Sequence, residues 1–142
     1  MREPLFTRMR RLGGRAIREA ALYPAALRRG PGRRVAFFPS SGRDQSGLLR
    51  AYDVADGMRA LGWSALVVPK HLGLAQRRRM LRLFRPDVAV LQTCRHPLNR
   101  IAHFDGWPVV LDLDDADFFD PALTGPMEDV ARGAVGVICG SR

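Results

Sequence analysis

The sequence is poor in cysteine and has no long apolar run. Its two cysteines, Cys94 and Cys139, lie far apart in or beside apolar, strand-like segments, and no CxxC or Cys/His spacing indicates zinc. We therefore expect two buried free thiols rather than a disulfide. No apolar stretch approaches the roughly 20 residues of a membrane span, and no apolar core of a signal peptide is present. These absences favour a protein of the reducing cytoplasm.

The motifs that mark several common enzyme classes are also missing. There is no GxGxxG, no GxxxxGK[ST] and no GxSxG, and neither cysteine has an evident activating partner. The three histidines, His71, His96 and His103, lie outside the loops in which we expect a site, so we interpret them as surface or packing residues. No catalytic residue is assigned from the sequence.

Charge is distributed unevenly along the chain. The net charge is +9, yet residues 1–34 hold ten arginines against two acidic residues, while residues 105–142 hold eight acidic against two basic residues. Lys70 is the single lysine. An acidic end and the lack of interleaved aromatic and basic residues argue against nucleic acid as a partner.

Residues 34–142 alternate between apolar strand patterns and amphipathic helix patterns, which predicts an α/β domain with a Rossmann-like, doubly wound parallel sheet of about five strands. In the usual order, strand one is central, strands two and three lie on one side of it, and strand four lies on the other. The predicted strands are Val35–Pro39, Ala65–Val68, Val88–Leu91, Val109–Leu113 and Val135–Cys139. The predicted helices are Leu48–Leu61, Gly73–Phe84, Asn99–Phe104 and Pro126–Ala134, with Arg77, Arg78, Arg79, Arg82 and Arg85 on the outside of the second.

Residues 1–33 form a separate basic segment and linker. Leu5, Met9, Leu12 and Ala16 recur at helical spacing, which predicts an amphipathic helix interrupted at Gly13-Gly14 and closed by Pro24. Three interpretations stay open: attachment to an anionic membrane surface, packing on the following domain, and a translation start at Met9 or later. The membrane interpretation places the protein on the inner face of the plasma membrane, with contacts from Arg8, Arg11, Arg15 and Arg18.

Acidic residues crowd the end of the fourth predicted strand, where open α/β sheets hold their ligands. Asp112, Asp114 and Asp115 follow or end an apolar run, and their repulsion requires water, a cation, a hydroxyl-rich ligand or helix N-termini to offset it. We interpret them as substrate-binding residues. Two alternatives stay open: Mg²⁺ held by the DxD-like pair, and turn formation with helix capping. We predict no metal.

The loop after the first strand, Ser40–Gly47, joins a strand to a helix and contains two glycines. Its glycines allow a ligand to approach the backbone, and the N–H groups at the following helix start suit an anion or a sugar hydroxyl. We therefore predict that Gly42, Arg43, Ser46 and Gly47 bind substrate. The alternative is a flexible loop in which Ser46 caps the helix. In the usual order this loop and residues 114–121 flank the switch point between strands one and four.

Several segments together resemble the N-terminal domain of GT-B glycosyltransferases, in the large retaining group that includes family four. The resemblance covers about residues 34–142. It is carried by residues 47–63 of the first domain helix, Phe84-Arg85-Pro86-Asp87-Val88, the strand Val109 to Asp115, and residues 131–142.

The resemblance implies an enzyme of two Rossmann-like domains that transfers a sugar from a nucleotide-sugar donor to a glycan or lipid-linked acceptor, without a metal or other cofactor. This chain resembles the acceptor-side domain, and its Gly42–Gly47 loop matches the loop that approaches the donor phosphates. Many relatives have a histidine near the end of strand four, where this chain has Leu113 to Asp115. Since the donor domain is absent, we expect the chain alone to be inactive. It is then a truncated gene product, a gene fragment, or one half of a split enzyme whose donor domain is on a second chain. The alternative function is a non-catalytic Rossmann-like module that binds a ligand or partner.

Overall fold

The computed structural model describes residues 5–28, 30–43, 46–113 and 117–140, with side chains from residue 12 onward. Its centre is a five-stranded, all-parallel sheet in the order β2-β1-β3-β4-β5, which confirms the predicted α/β class. The strands are β1 (Arg34–Phe38), β2 (Ser64–Val67), β3 (Val88–Gln92), β4 (Val109–Leu113) and β5 (Gly136–Cys139).

The strand order corrects the prediction. β3 does not lie beyond β2; it pairs directly with β1, with Val35 opposite Val88 and Phe38 opposite Leu91. Right-handed crossovers are compatible with either order, so the alternation of elements along the chain does not distinguish them. The point at which the chain reverses direction across the sheet therefore lies between β1 and β3, and β3 separates β1 from β4, the two strands expected to flank it.

Helices cover both faces of the sheet. Leu48–Tyr52 is a π-helical turn that continues into α3 (Asp53–Ala60), and 3₁₀ turns span Ile101–His103 and Asp117–Phe119. The other helices are α1 (Leu5–Ala20), α2 (Tyr23–Leu27), α4 (Leu74–Phe84) and α5 (Pro121–Gly133).

Two helices differ from the sequence prediction. The helix α1 runs without a break through Gly13 and Gly14, so the predicted interruption is wrong. The helix α5 begins at Pro121 rather than Pro126, because the Asp120 carboxylate accepts a hydrogen bond from the Ala122 N–H at 2.9 Å and caps the helix start. Proline also suits a first helical turn, where its missing N–H costs nothing.

A separate hydrophobic core lies on each face of the sheet. On the first face Phe38, Leu91 and Leu111 are buried, and the Phe104 ring meets the Phe38 ring edge-on with centroids 4.8 Å apart. On the second face the small residues Ala51 and Ala55 are buried against Val35, Phe37, Val67 and Val90, which lets their helix approach the strands closely. The strand β5 is the exception, since Val137 and Ile138 are exposed.

The cysteines differ in burial. Cys94 is fully buried, as expected, whereas Cys139 is exposed on β5, so the prediction of two buried thiols is wrong for Cys139. Among the described residues, no helix is both long and apolar enough to cross a bilayer.

Candidate functional site

The candidate site lies where the loops after β1 and β3 leave the carboxyl edge of the sheet. In doubly wound folds, ligands bind at the point where the strand order reverses, and here that point lies between these two strands. Asp112 is close to it, because β4 pairs with β3 and Asp112 lies opposite Gln92. Asp114 and Asp115 lie outside the described residues.

Gln92 at the end of β3 connects the two loops. Its side-chain oxygen accepts a hydrogen bond from the Ser40 N–H at 3.2 Å, and its side-chain amide donates to the Ser46 hydroxyl at 3.1 Å. The Ser40 hydroxyl donates to the Gln92 backbone carbonyl and accepts from the Thr93 hydroxyl at 3.0 Å. Gln92 and Thr93 were not predicted from the sequence, although a polar pair at the end of an apolar strand indicates this edge of the sheet.

The glycine-containing loop after β1 is folded tightly back on its helix. The Gly47 N–H donates to the Ser41 hydroxyl at 2.7 Å, and the Ser41 and Ser46 hydroxyls lie 3.2 Å apart. A side chain at Gly47 would place its Cβ 2.7 Å from the carbonyl oxygens of both Ser41 and Gly42. Glycine is thus required here by close packing, and the Ser46 hydroxyl binds Gln92 and Ser41 instead of capping the helix as the alternative predicted.

Arg43 stacks on an aromatic ring at the same loop. Its guanidinium carbon lies 4.4 Å from the centroid of the Tyr52 ring, while the side chain remains exposed. Burial raises the pKa of the Tyr52 hydroxyl, and the Arg43 charge opposes that shift. Arg43 and Ser46 are therefore accessible from solvent, whereas Gly42 is half-buried and Gly47 is buried.

The Asp112 carboxylate has a basic partner that the sequence analysis did not identify. Arg50, on the π-helical turn, donates to Asp112 at 2.7 Å, and the two side chains are 29% and 8% exposed. The charge of Asp112 at the strand end is therefore offset by an arginine. Among the described residues, no group of three or more histidine, cysteine or acidic side chains is placed to hold a metal.

Beneath the loops, Asn99 and Arg77 form a buried polar pair. The Asn99 amide donates to the carbonyl of Phe38 at 3.0 Å and to that of Thr93 at 3.1 Å, so it joins the ends of β1 and β3. Its oxygen accepts from Arg77 at 2.9 Å. Arg77 was expected on the outside of its helix but is 2% exposed, and burial lowers its pKa to about 10.

The loop after β3 has an unusual backbone conformation and a histidine. Thr93 has a φ of 55°, which a β-branched residue rarely adopts and which is often found at functional sites. His96 lies three residues further along this loop, so the corrected strand order brings it to a switch-point loop that differs from the two expected from the sequence. The His96 ring accepts a hydrogen bond from the Leu98 N–H at 3.1 Å, and its pKa is lowered to about 4, chiefly by burial and then by the charge of Arg77.

The N-terminal helix α1 contacts the domain through a polar side chain. Glu19 is buried and accepts hydrogen bonds from Gln76 at 2.8 Å and from Tyr23 at 3.1 Å, and it forms an ion pair with Arg79 at 3.2 Å. Of the four arginines expected to contact a membrane, Arg18 is exposed and Arg15 is half-buried; the side chains of Arg8 and Arg11 lie outside the described residues.

The apolar stripe of α1 is not the surface that packs on the domain. Its described members Leu12, Ala16, Ile17 and Ala20 are all exposed, with Leu12 at 53% and Ile17 at 73%. Packing on the domain is therefore observed, but the apolar residues whose spacing predicted the helix are left facing solvent.

The switch-point edge combines charged and hydroxyl groups at the surface with a more deeply buried ion pair. Arg43 and Ser46 are exposed, Arg50 is partly exposed, and the Asp112 carboxylate is buried against Arg50. These groups are suited to hydroxyl-rich or anionic molecules. Within the part of the chain that the structure describes, the hydroxyls of Ser40 and Ser46 bond to Gln92, and the Ser40 hydroxyl also accepts from Thr93.

Compared with protein-family models, with curated proteins and with solved structures, the chain shows no significant match. These comparisons therefore assign it to no family. The resemblance to GT-B glycosyltransferases rests on the sequence segments described above, and the fold alone is shared by proteins of many functions.

Proposed function

We propose that this chain is the acceptor-side domain of a GT-B type glycosyltransferase, which transfers a sugar from a nucleotide-sugar donor to a glycan or lipid-linked acceptor. The observation that supports it best is the connection of the glycine-containing loop to the strand ends through Gln92, next to the Arg50–Asp112 pair. Such a surface presents both hydrogen-bond donors and acceptors, as binding of a polyhydroxylated ligand requires.

Within this proposal each group has a separate role. The Asp112 carboxylate accepts hydrogen bonds from sugar hydroxyls while Arg50 holds its orientation, and Arg43 and Ser46 contact the donor phosphates or the transferred sugar. Stabilising the leaving diphosphate is the principal catalytic task, and it falls to basic residues of a donor domain. The chain by itself is therefore proposed to bind ligand without turnover, and no residue of it is assigned as catalytic.

The test uses the protein expressed from its native locus, whose intact mass shows whether the 15.8 kDa chain is joined to further sequence or purifies with a second polypeptide. That material is incubated with radiolabelled nucleotide-sugars and a lipid and glycan extract of the host. We expect transfer of label, reduced by more than about tenfold in Asp112→Asn, because a charged hydrogen bond is lost. Arg132→Gln, on the distant helix α5, serves as the matched control. Absence of transfer in all preparations would contradict the proposal.

A second function is favoured by one observation. Among the described residues, the serine hydroxyls at the site bond to Gln92 and to each other, and a polar network of this kind is sufficient for a non-catalytic binding module. Binding of a sugar or nucleotide-sugar that is lost in Asp112→Asn, with no transfer under any complementation, would support this module over the transferase.

We also propose that the protein is cytoplasmic and attaches peripherally to the inner face of the plasma membrane. The exposed apolar stripe of α1 supports this attachment. Leu12 and Ile17 face solvent while Glu19 fixes the helix to α4. An amphipathic helix of this kind inserts its apolar residues among lipid headgroups, and each nearby arginine adds about 1 kcal/mol of attraction to anionic lipid. This attachment would place the sheet edge near a membrane-bound acceptor.

Co-sedimentation with vesicles of phosphatidylglycerol and phosphatidylcholine tests the attachment. We expect binding at low salt that decreases as salt is added, and that falls several-fold in Ile17→Asp. Leu61→Asp is the control, since Leu61 is 80% exposed in the turn directly after α3 and the substitution introduces the same change in charge. Equal effects of the two substitutions, or no binding of the wild type at low salt, would contradict attachment through α1.

A further inference from the structure

A cavity of about 420 Å³ lies at the amino edge of the sheet, opposite the switch-point site. It is lined by the last turns of α4 and by the segment that leads from the 3₁₀ turn Ile101–His103 into β4. We call it the basic pocket and define it by its residues: Arg78, Leu81, Arg82, His103, Asp105 and Trp107. Its volume is in the range of small-molecule sites.

The two arginines of the basic pocket are not neutralised. Arg78 and Arg82 lie one helical turn apart on α4, both are exposed, and neither forms an ion pair within the described part of the chain. The neighbouring arginine of the same helix differs, because Arg79 pairs with Glu19. Two guanidinium groups one helical turn apart repel each other, and a bound dianion would offset that repulsion.

The other residues of the basic pocket include two apolar side chains and a histidine close to the arginines. Leu81 is buried and the Trp107 ring is half-buried, so part of the wall is apolar. The pKa of His103 is lowered by burial first and then by the charges of Arg78, Arg100 and Arg77. Among the described residues that line the basic pocket there are two arginines and one carboxylate, Asp105, so the net charge of the lining is positive.

We propose that the basic pocket binds a phosphate monoester with a ring-shaped or otherwise apolar body, Arg78 and Arg82 sharing the phosphate oxygens and Trp107 contacting the body. A guanidinium presents its donors in a planar fork that fits phosphate. Two guanidinium groups carry two positive charges, so a phosphate dianion matches them better than a singly charged carboxylate does. The exposed Asp105 carboxylate competes for the same arginines. This site is separate from the proposed sugar-transfer site, since its residues lie at the opposite end of the strands.

Phenyl phosphate is the probe that tests the proposal. In Trp63→Phe, which leaves Trp107 as the single tryptophan, we expect saturable quenching of fluorescence. Binding should weaken by more than about tenfold in Arg78→Gln/Arg82→Gln, because two charged hydrogen bonds are lost. It should tighten several-fold in Asp105→Asn and stay unchanged in Arg132→Gln. In the wild type the same titration is followed by the NMR signal of the His103 ring, so the result does not depend on the folding of Trp63→Phe.

Two further ligands, phenol and phosphatidic acid, test whether the phosphate is required and whether it belongs to a lipid. Phenol, which has the ring without the phosphate, should not bind, and equal binding of phenol would overturn the proposal, as would equal affinity of the double variant. Vesicles containing phosphatidic acid carry the same phosphate monoester on a lipid. Suppose that Arg78→Gln/Arg82→Gln weakens vesicle binding while phenyl phosphate does not bind the wild type. The basic pocket then binds a lipid headgroup, and the proposal of a soluble phosphate monoester is overturned. Neither readout involves sugar transfer, so failure here is distinct from failure of the proposed function.

Discussion

Arg77 donates a hydrogen bond to the side-chain oxygen of Asn99 at 2.9 Å, and both side chains are buried. Two further donors of the guanidinium point at the carbonyls of Leu72, at 3.2 Å, and Lys70, at 3.3 Å, so among the described residues its partners are neutral oxygens. Since the other end of Asn99 binds the strand ends of β1 and β3, this pair ties α4 to the floor of the candidate site.

Replacing Asn99 should therefore destabilise the protein strongly. Asn99→Ala removes the acceptor for Arg77 and the donor for two strand-end carbonyls, which predicts a loss of about 2–4 kcal/mol in the free energy of unfolding. Urea denaturation followed by circular dichroism measures it. Asn99→Asp keeps the oxygen for Arg77 but turns a second oxygen toward the carbonyls of Phe38 and Thr93, so it too should destabilise at neutral pH. A loss below about 0.5 kcal/mol in both variants would show that the pair carries no stability.

Two glycines on the same loop–helix segment should respond to alanine in opposite ways. At Gly47 a Cβ would lie 2.7 Å from two backbone oxygens, so Gly47→Ala must open the loop, and we expect a loss of about 1–3 kcal/mol. At Gly57, inside α3, a Cβ meets no atom within 4 Å, so Gly57→Ala should stabilise by about 0.5–1 kcal/mol through helix propensity. Paired urea titrations test both signs, and a stabilising Gly47→Ala would refute the packing of the loop.

Stability should fall as the pH is lowered from 6.5 to about 4, in part because of His96. The pKa of His96 is about 4 in the folded protein and 6.5 in the unfolded chain, so within this window the unfolded state binds the proton and the native state does not. The contribution is fully present above pH 6.5. In His96→Asn, whose side-chain oxygen still accepts the Leu98 N–H, the thermal midpoint should depend less steeply on pH. His71 and His103 also have lowered pKa values, so part of the slope should remain.

The two thiols should react at very different rates. Cys139 is exposed, whereas Cys94 is fully buried and burial raises its pKa to about 11. At pH 8, Ellman's reagent should label one thiol quickly and the second about 100-fold or more slowly, because the second requires opening of the core. Cys139→Ser should remove the fast phase, and guanidinium chloride should expose both thiols in the wild type. Two fast thiols in the folded protein would contradict the burial of Cys94.

Local pattern was sufficient to predict most of the secondary structure. The run Val109–Leu113 was predicted with the bounds the structure shows, because a short β-branched apolar segment after a proline has few alternatives. Start residues were harder. The acidic Asp120 before Pro121 is a clear cap-and-proline signal, yet Pro126 drew the predicted start of α5 to a later position.

Only part of the candidate site was predictable from the sequence, and the reason is physical. Asp112, Gly42 and Gly47 carry local signals, namely a charge at a strand end and glycines in a strand-to-helix loop. The roles of Gln92 and Asn99 depend on which strands lie side by side, and strand order in turn depends on which faces pack together. The same holds for Arg50. It lies 2.7 Å from Asp112 in the fold but far from it along the chain, so no local pattern predicts the pair.

The sequence by itself determined the α/β class, the approximate elements and the amphipathic character of α1, because hydrophobic period and turn residues act over a few neighbouring positions. Only the tertiary structure decided that β3 pairs with β1, that Arg77 is buried, and that the apolar stripe of α1 faces solvent. Each of these depends on burial and hydrogen bonding between segments far apart in the chain. Glu19 shows the reason most plainly: its bonds to Gln76 and Arg79 orient α1, and nothing in the sequence near Glu19 specifies those partners.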